Sequence, residues 1–201
     1  MIIPGILENN FSGVCSELDR FVDICKRVQI DLASWKPKGD EDLPHWDVYD
    51  FEFDLLRNSN MEMLEICKDR GAAYVVIHIS NSNEELLSEM YDYCKNYDMQ
   101  MALCGPVDNI IKNIQHCDYV QLMGIENVGA QGQPFRPSVV DDIKKLKLVT
   151  DKIIQIDGAM NEDTIKMCRD AGATQFVVGS VLKKSLDIVS TYRKLQNIVH
   201  S

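Results

Sequence analysis

The stretch Ile153-Ile-Gln-Ile-Asp157-Gly158-Ala159-Met160-Asn161 decides how the rest of the chain is read. It opens as a buried strand, with β-branched isoleucines around a single Gln. It ends in an acid, a Gly-Ala pair and a helix start, Asn161-Glu162-Asp163-Thr164. A carboxylate at the C-terminal tip of a strand can take or give a proton. A small-residue turn behind it can hold an anion, most often a phosphate, on backbone N–H groups. A plain strand-to-helix turn with Asp as a capping residue fits the same letters, and the stretch alone leaves both readings open.

Similar runs recur along the chain. Ile2-Ile3, Val28 to Ala33, Phe51 to Leu56, Tyr74 to Ile79, Met99 to Cys104, Tyr119 to Ile125 and Phe176 to Val181 join Ile153 to Ile156 to make eight predicted strands. Their continuous apolar character suits strands covered on both faces, as in a parallel sheet. Between them lie segments with helical spacing: Phe11 to Arg27, Asn60 to Arg70, Asn83 to Asn96, Asp108 to Gln115, Ser138 to Leu148, Glu162 to Asp170 and Leu186 to Val199. Ser82 reads as the cap of one helix, and Asp170-Ala-Gly172 as the end of another. Strand–helix alternation over the whole chain implies an α/β fold, and eight strands imply a (β/α)8 TIM barrel formed by residues 1–201 as a single domain. A flat doubly wound sheet is the alternative, but no G-x-G-x-x-G follows the first strand. The irregular stretch Ser34 to Asp50 reads as a long loop over the strand ends, a candidate lid.

Composition narrows the partners. The 201 residues carry a net charge of −10, and the only adjacent lysines noted are Lys144-Lys145 and Lys183-Lys184. That disfavours nucleic acid and anionic membrane surfaces. No apolar run approaches the ~20 residues needed to cross a bilayer. The opening Met1-Ile-Ile-Pro-Gly lacks a basic region, so no secretory signal is expected. Seven cysteines lie scattered without a C-x-x-C pair, which reads as reduced thiols in a cytoplasmic protein.

In a barrel, alternate strand residues point inward and chemistry gathers at the C-terminal rim. On the second strand Val28, Ile30 and Leu32 are apolar and suit packing under helices, so the parity of Gln29, Asp31 and Ala33 faces inward. The same logic puts Glu52, Asp54, His78, Gln121, Gln155 and Asp157 inside. The expected rim is Asp31, Asp54, His78 and Asp157, with Gln29 and Glu52 one layer below. Three carboxylates in one cavity cannot all stay ionised without sharing protons or holding a cation. A divalent metal ligated by Asp31, Asp54 and Asp157, with Gln29 or His78 as further candidates, is one occupant. His78 taken alone reads first as a core histidine bonded to a neighbour, and Glu52 as a salt-bridge partner on the floor. Glycine-bearing turns form a second group: Gly158-Ala159 after strand seven, Gly179-Ser180 after strand eight, and Gly132 after strand six. Loops after strands seven and eight are the usual phosphate site of this architecture.

These residues resemble the ribulose-phosphate 3-epimerase family over essentially the full chain. Ile3-Pro-Gly-Ile-Leu is similar to its I-x-P-S-I-L opening, and Val28-Gln-Ile-Asp31 to H-V-D-V-M-D-G. Tyr119-Val-Gln-Leu-Met-Gly-Ile through Gly129-Ala-Gln-Gly-Gln-Pro-Phe135 is similar to M-x-V-x-P-G-F-G-G-Q-x-F. Ile156-Asp-Gly-Ala-Met-Asn161 resembles V-D-G-G-I-N, and Gly172 through Ser180 the G-A-x-x-x-V-x-G-S end. The resemblance implies a (β/α)8 barrel that binds a divalent metal and inverts C3 of a ketopentose 5-phosphate. It implies Asp31 and Asp157 as the proton-transfer acids, and Gly158, Ala159, Gly179 and Ser180, with Gly132 nearby, as phosphate-binding positions. It also implies a homo-oligomer. The chain departs from the pattern at the chemical end. The family's metal-ligating histidines on strands two and three are Gln29 and Asp54 here. The first-strand serine is Gly5, two cavity methionines are Ala33 and Leu56, and one extra residue precedes Gly129.

Three functions follow as expectations. The first is an epimerase acting on D-ribulose 5-phosphate or D-xylulose 5-phosphate with an altered divalent site. The ion would be Mn²⁺, Mg²⁺, Fe²⁺ or Zn²⁺, the oxygen-rich set favouring Mn²⁺ or Mg²⁺ over Zn²⁺. The second is a catalytically impaired phosphosugar-binding barrel. The third is another enolate reaction. Leu32 and Ala33 stand where related decarboxylases carry the rest of an Asp-x-Lys, and no predicted strand interior holds the lysine an aldolase needs.

Overall fold

A computed structural model of the chain describes residues 1–33, 41–56, 59–79, 83–129 and 132–201. Strands and helices alternate as β1 (Ile2–Ile6), α1 (Phe11–Phe21), β2 (Arg27–Asp31), β3 (Asp50–Asp54), α2 (Met61–Asp69), β4 (Ala72–His78), α3 (Glu84–Asn96) and β5 (Gln100–Cys104). They continue as α4 (Val107–Lys112), β6 (Tyr119–Met123), α5 (Val139–Lys147), β7 (Ile154–Asp157), α6 (Glu162–Ala171), β8 (Gln175–Val178), α7 (Ser180–Lys183) and α8 (Ile188–His200). Every strand pairs in parallel with the next, and β8 returns to β1 through Ile2–Phe176 and Ile3–Val177. The sheet is a closed (β/α)8 barrel, as the strand count implies.

The outer strand faces build the main core. Val28, Ile30, Phe53, Val75, Ile77, Leu103 and Phe176 pack under helix residues such as Leu18, Leu64, Leu87, Ile143 and Ile165. Each buried side chain of this kind contributes roughly 1.5–3 kcal/mol of transfer free energy. Local chemistry sets the helix ends. Asn10, Asn60, Asn83 and Asn161 accept hydrogen bonds from first-turn amides. Asn161 and Thr164 form a reciprocal capping box, so the helix start expected after strand seven is in place. Gly172 closes α6 in a left-handed conformation, φ 116°.

Several element ends differ from expectation. The first helix stops at Phe21, with the Ile24 and Cys25 amides turning back to the Phe21 carbonyl. Arg27 therefore opens β2 instead of ending the helix. Its long-range partners, described below, are invisible to local periodicity. The run Phe176 to Val181 divides into β8 and the short helix α7. The Ser82 cap and residues 34–40 of the candidate lid lie outside the described residues. The described remainder of that stretch is only partly packed, with Trp46 largely exposed. Leu43 and Tyr49 are buried, the Tyr49 hydroxyl donates to the Leu18 carbonyl at 2.6 Å, and Asp50 already belongs to β3.

Candidate active site

The barrel interior is sorted by register. Gln29 lies level with Glu52, and Asp31 with Asp54. Gln121 lies level with Gln155, and Met123 with Asp157. On the strands between β3 and β6, Val76, Ala102 and Cys104 make an apolar patch with Tyr119. The interior thus carries polar side chains on two facing strand pairs, β2–β3 and β6–β7, with an apolar patch on β4 and β5 between them.

At the floor sits Arg27. Its guanidinium pairs with Glu52 at 3.0 Å and lies 3.4 Å from the centre of the Tyr74 ring. It also donates to Gln175 and Gln155 at 3.3 and 3.4 Å. Tyr119 donates to the other Glu52 oxygen at 2.7 Å. The expectation that Glu52 forms a floor salt bridge matches this geometry. Its partner Arg27 falls in a segment with helical spacing, although it extends the inward parity of residues 29 and 31.

One layer up, the Gln155 amide nitrogen donates to Glu52 and Gln121 at 2.8 Å each and to Gln29 at 3.2 Å. Gln29 donates upward to Asp31 at 2.9 Å and to Asp157 at 3.3 Å. Gln121 donates to Asp54 at 2.8 Å.

At the rim, oxygens of Asp31, Asp54 and Asp157 all lie within 4.8 Å of one another. Metal–oxygen distances of about 2.0–2.6 Å allow ligand oxygens to sit up to roughly twice that far apart, so these three carboxylates fit one divalent cation. The two further ligand candidates are turned to other work. Gln29 presents its N–H side to the acids, and His78 Nε2 lies 2.7 Å from Asp54 Oδ1. Asp54 is fully buried and also accepts from the Leu56 amide at 2.9 Å.

Burial and mutual repulsion set the charge state. Burial, then the charges of Asp157 and Asp54, raises the Asp31 carboxyl well above the usual range. Burial, then Asp54, pushes Asp157 up to about 7, with the Gln29 hydrogen bond opposing. Burial works against a charge on His78, but its contacts with Cys104 and Asp54 outweigh that and raise its pKa. Burial raises the Cys104 thiol as well, with the His78 contact opposing. All seven cysteines are free thiols.

A pocket of about 610 Å³, counting the solvent space at its mouth, opens above this rim. Asp31 and Asp157 line it, and so do Gly132, Gly158, Ala159, Gly179 and Ser180. The structure thus brings both acids and all three glycine-bearing turns to one cavity. Gly158 and Ala159 turn the chain with φ 101° and 56°. A side chain at Gly158 would meet Ile125 at 2.8 Å. One at Gly5 would meet Val177 at 2.8 Å, so the absent first-strand hydroxyl is matched by a filled space. Asp54, Gln29 and His78 lie beneath the pocket and not on its wall.

Comparisons place this arrangement among known proteins. The sequence model of the ribulose-phosphate 3 epimerase family matches residues 30–183. A ribulose-phosphate 3-epimerase of Chlamydia pneumoniae is 30% identical over 132 residues, covering 60% of this chain and 56% of that protein. One of Aquifex aeolicus is 27% identical over 195 residues, covering 82% of this chain and 87% of that protein. The chain thus spans little more than half of the first relative and most of the second. Among solved structures, 3-hexulose-6-phosphate synthase of Salmonella typhimurium superposes with a TM-score of 0.72 at 14% identity, over 99% of this chain and 98% of that one. At that identity the likeness concerns the fold.

Proposed function

Since the chain belongs to the ribulose-phosphate 3-epimerase family, we propose that it epimerises C3 of a ketopentose phosphate, D-ribulose 5-phosphate or D-xylulose 5-phosphate. One observation carries this reading: the pocket that holds Asp31 and Asp157 also holds the glycine-bearing turns suited to a phosphate. Inversion needs one acid ionised to take the C3 proton and one protonated to return a proton on the other face. Both carboxyls are half-buried with raised pKa values, Asp31 through burial and the charges of Asp157 and Asp54, Asp157 through burial and the charge of Asp54, which suits a pair that holds and passes a proton. Asp31 and Asp157 are the proton-transfer pair in this reading. Gly158, Ala159, Gly179 and Ser180, with Gly132, hold the phosphate on backbone donors and fix the sugar's reach toward the acids.

Asp31, Asp54 and Asp157 would hold the divalent cation. When bound, such an ion supplies Lewis-acid stabilisation of oxygen charge beside the deprotonated carbon. The all-oxygen set favours Mn²⁺ or Mg²⁺ over Fe²⁺ or Zn²⁺. We further propose that residues 1–201 act as one domain, that the chain self-associates, and that it works in the cytoplasm. Seven free thiols suit that compartment, and no described helix is long and apolar enough to cross a membrane.

The test is conversion of ribulose 5-phosphate to xylulose 5-phosphate by the wild type, Asp31→Asn and Asp157→Asn. The proposal expects turnover by the wild type and a loss of about 10²–10⁴-fold in each variant. Turnover untouched by Asp157→Asn removes it from the proton-transfer pair. A second reading, a phosphosugar-binding barrel without catalysis, draws on Gln29 and Asp54 standing where the family pattern has imidazoles. Its mark is sugar-phosphate binding with no exchange of the substrate's C–H with solvent.

A further inference from the structure

An amide's oxygen and nitrogen are told apart by their partners. In the barrel floor those partners leave no freedom. Arg27 is a donor only, and the Gln155 oxygen accepts from it at 3.4 Å. Glu52, ion-paired to Arg27, is an acceptor, and the Gln155 nitrogen donates to it at 2.8 Å. Both constraints turn Gln155 the same way. Its two N–H groups then serve three oxygens, Glu52 and Gln121 at 2.8 Å each and Gln29 at 3.2 Å through a shared hydrogen. Reversing either glutamine would set NH₂ against NH₂ in a buried layer, since Gln29, Gln121 and Gln155 are all fully buried. With their oxygens turned down, both must point N–H groups up. Gln121 meets Asp54 at 2.8 Å, and Gln29 spans Asp31 and Asp157 at 2.9 and 3.3 Å.

We propose that this ladder is a polarity relay in which Arg27 and Glu52 orient Gln155, and Gln155 orients Gln29 as a hydrogen-bond donor to both rim acids. Gln29 is a positioning residue and not a metal ligand, because the side it shows the rim has no lone pair to give. It holds the two carboxyls in one geometry by donating to both. The catalytic part of this role rests on the epimerase reading; the orientation of the amides does not.

Two experiments separate the parts. A neutron structure of the wild-type protein, grown from D₂O, reads the ladder directly. Two deuterons on the Gln29 side-chain atom facing Asp31 and Asp157 are expected. An oxygen there overturns the relay whatever the activity. The second experiment compares Gln29→Met, Gln155→Met and the double variant. Mn²⁺ affinity is measured by calorimetry, and solvent-deuterium exchange with ribulose 5-phosphate by NMR. Gln29→Met should lower kcat for exchange by roughly 10–100-fold, with KM and Mn²⁺ affinity changed by no more than about threefold. Gln155→Met should act in the same direction, and the double variant should be no worse than Gln29→Met. Loss of Mn²⁺ affinity by about tenfold or more in Gln29→Met makes it a ligand and overturns the assignment. Unchanged exchange in Gln29→Met, or additive effects in the double variant, does so as well. If the wild type exchanges nothing, the epimerase reading fails and the neutron structure alone decides the ladder. If Gln155→Met fails to fold, Gln29→Met and the neutron structure decide between the outcomes.

Discussion

Asp157 binds its proton more tightly in the folded chain than in water, because burial and Asp54 push its pKa from 3.8 up to about 7. The stability this lends is full below about 3.8 and is lost as pH rises to about 7. Above that pH the metal-free chain carries an unfavourable buried charge. Asp157→Asn should therefore stabilise the metal-free protein at pH 8, by on the order of 2–4 kcal/mol, with a much smaller gain near pH 4. Urea unfolding with a chelator present measures both, and an equal gain at the two pH values contradicts the linkage. The position of Asp157 was legible from letters alone: an acid ending an apolar run before Gly-Ala. The direction of the Gln29 amide was not. It depends on Arg27, Glu52 and Gln155, which come from three different strands and meet only after the barrel closes.

At the scale of elements, the loop after β7 forms one wall of the pocket. Gly158 combines a left-handed φ of 101° with no room for a Cβ, which would lie 2.8 Å from Ile125. Gly158→Ala should cost about 1–3 kcal/mol of stability by strain and crowding. If this turn holds the phosphate, KM for the sugar phosphate should rise by roughly tenfold with kcat much less affected, as expected for uniform binding. Steady-state kinetics on the folded variant decides this, and an unchanged KM removes the turn from the phosphate site. Strand centres were legible from their apolar runs, but strand ends were not. Tyr119 to Ile125 reads as one strand, yet β6 stops at Met123, because Ile125 is spent on the pocket wall against Gly158. Phe11 to Arg27 reads as one helix for a similar reason. The apolar spacing continues past Phe21 through Val22, Ile24 and Cys25, which pack against the core from the connecting turn.

For the molecule as a whole, the net charge of −10 opposes an anionic substrate at long range, while the pocket must hold it at short range. Screening weakens only the first effect, since the Debye length is ~30 Å at 0.01 M salt and ~8 Å at 0.15 M. KM for a sugar phosphate should fall by roughly two- to threefold over that range, opposite to a site that relies on a basic surface. A KM that rises steeply with salt contradicts this account of the field. The closed barrel was the most legible feature of all, because eight apolar runs separated by amphipathic segments leave few topologies open. The chemistry was less so. The residues kept from the family pattern mark the two acids and the glycine-bearing turns that line one pocket. The replaced ones, Gln29 and Asp54, take their roles from neighbours that periodicity does not show.

The central claim is that this cavity moves a proton at C3 of a ketopentose phosphate. Its most direct test is incubation of the wild-type protein with ribulose 5-phosphate in D₂O, with metal content measured on the same sample. The account predicts deuterium at C3 in the recovered sugar phosphates, at a rate that chelation lowers and Mn²⁺ or Mg²⁺ restores. Bound sugar phosphate with no deuterium at C3, whichever of these ions is supplied, contradicts it.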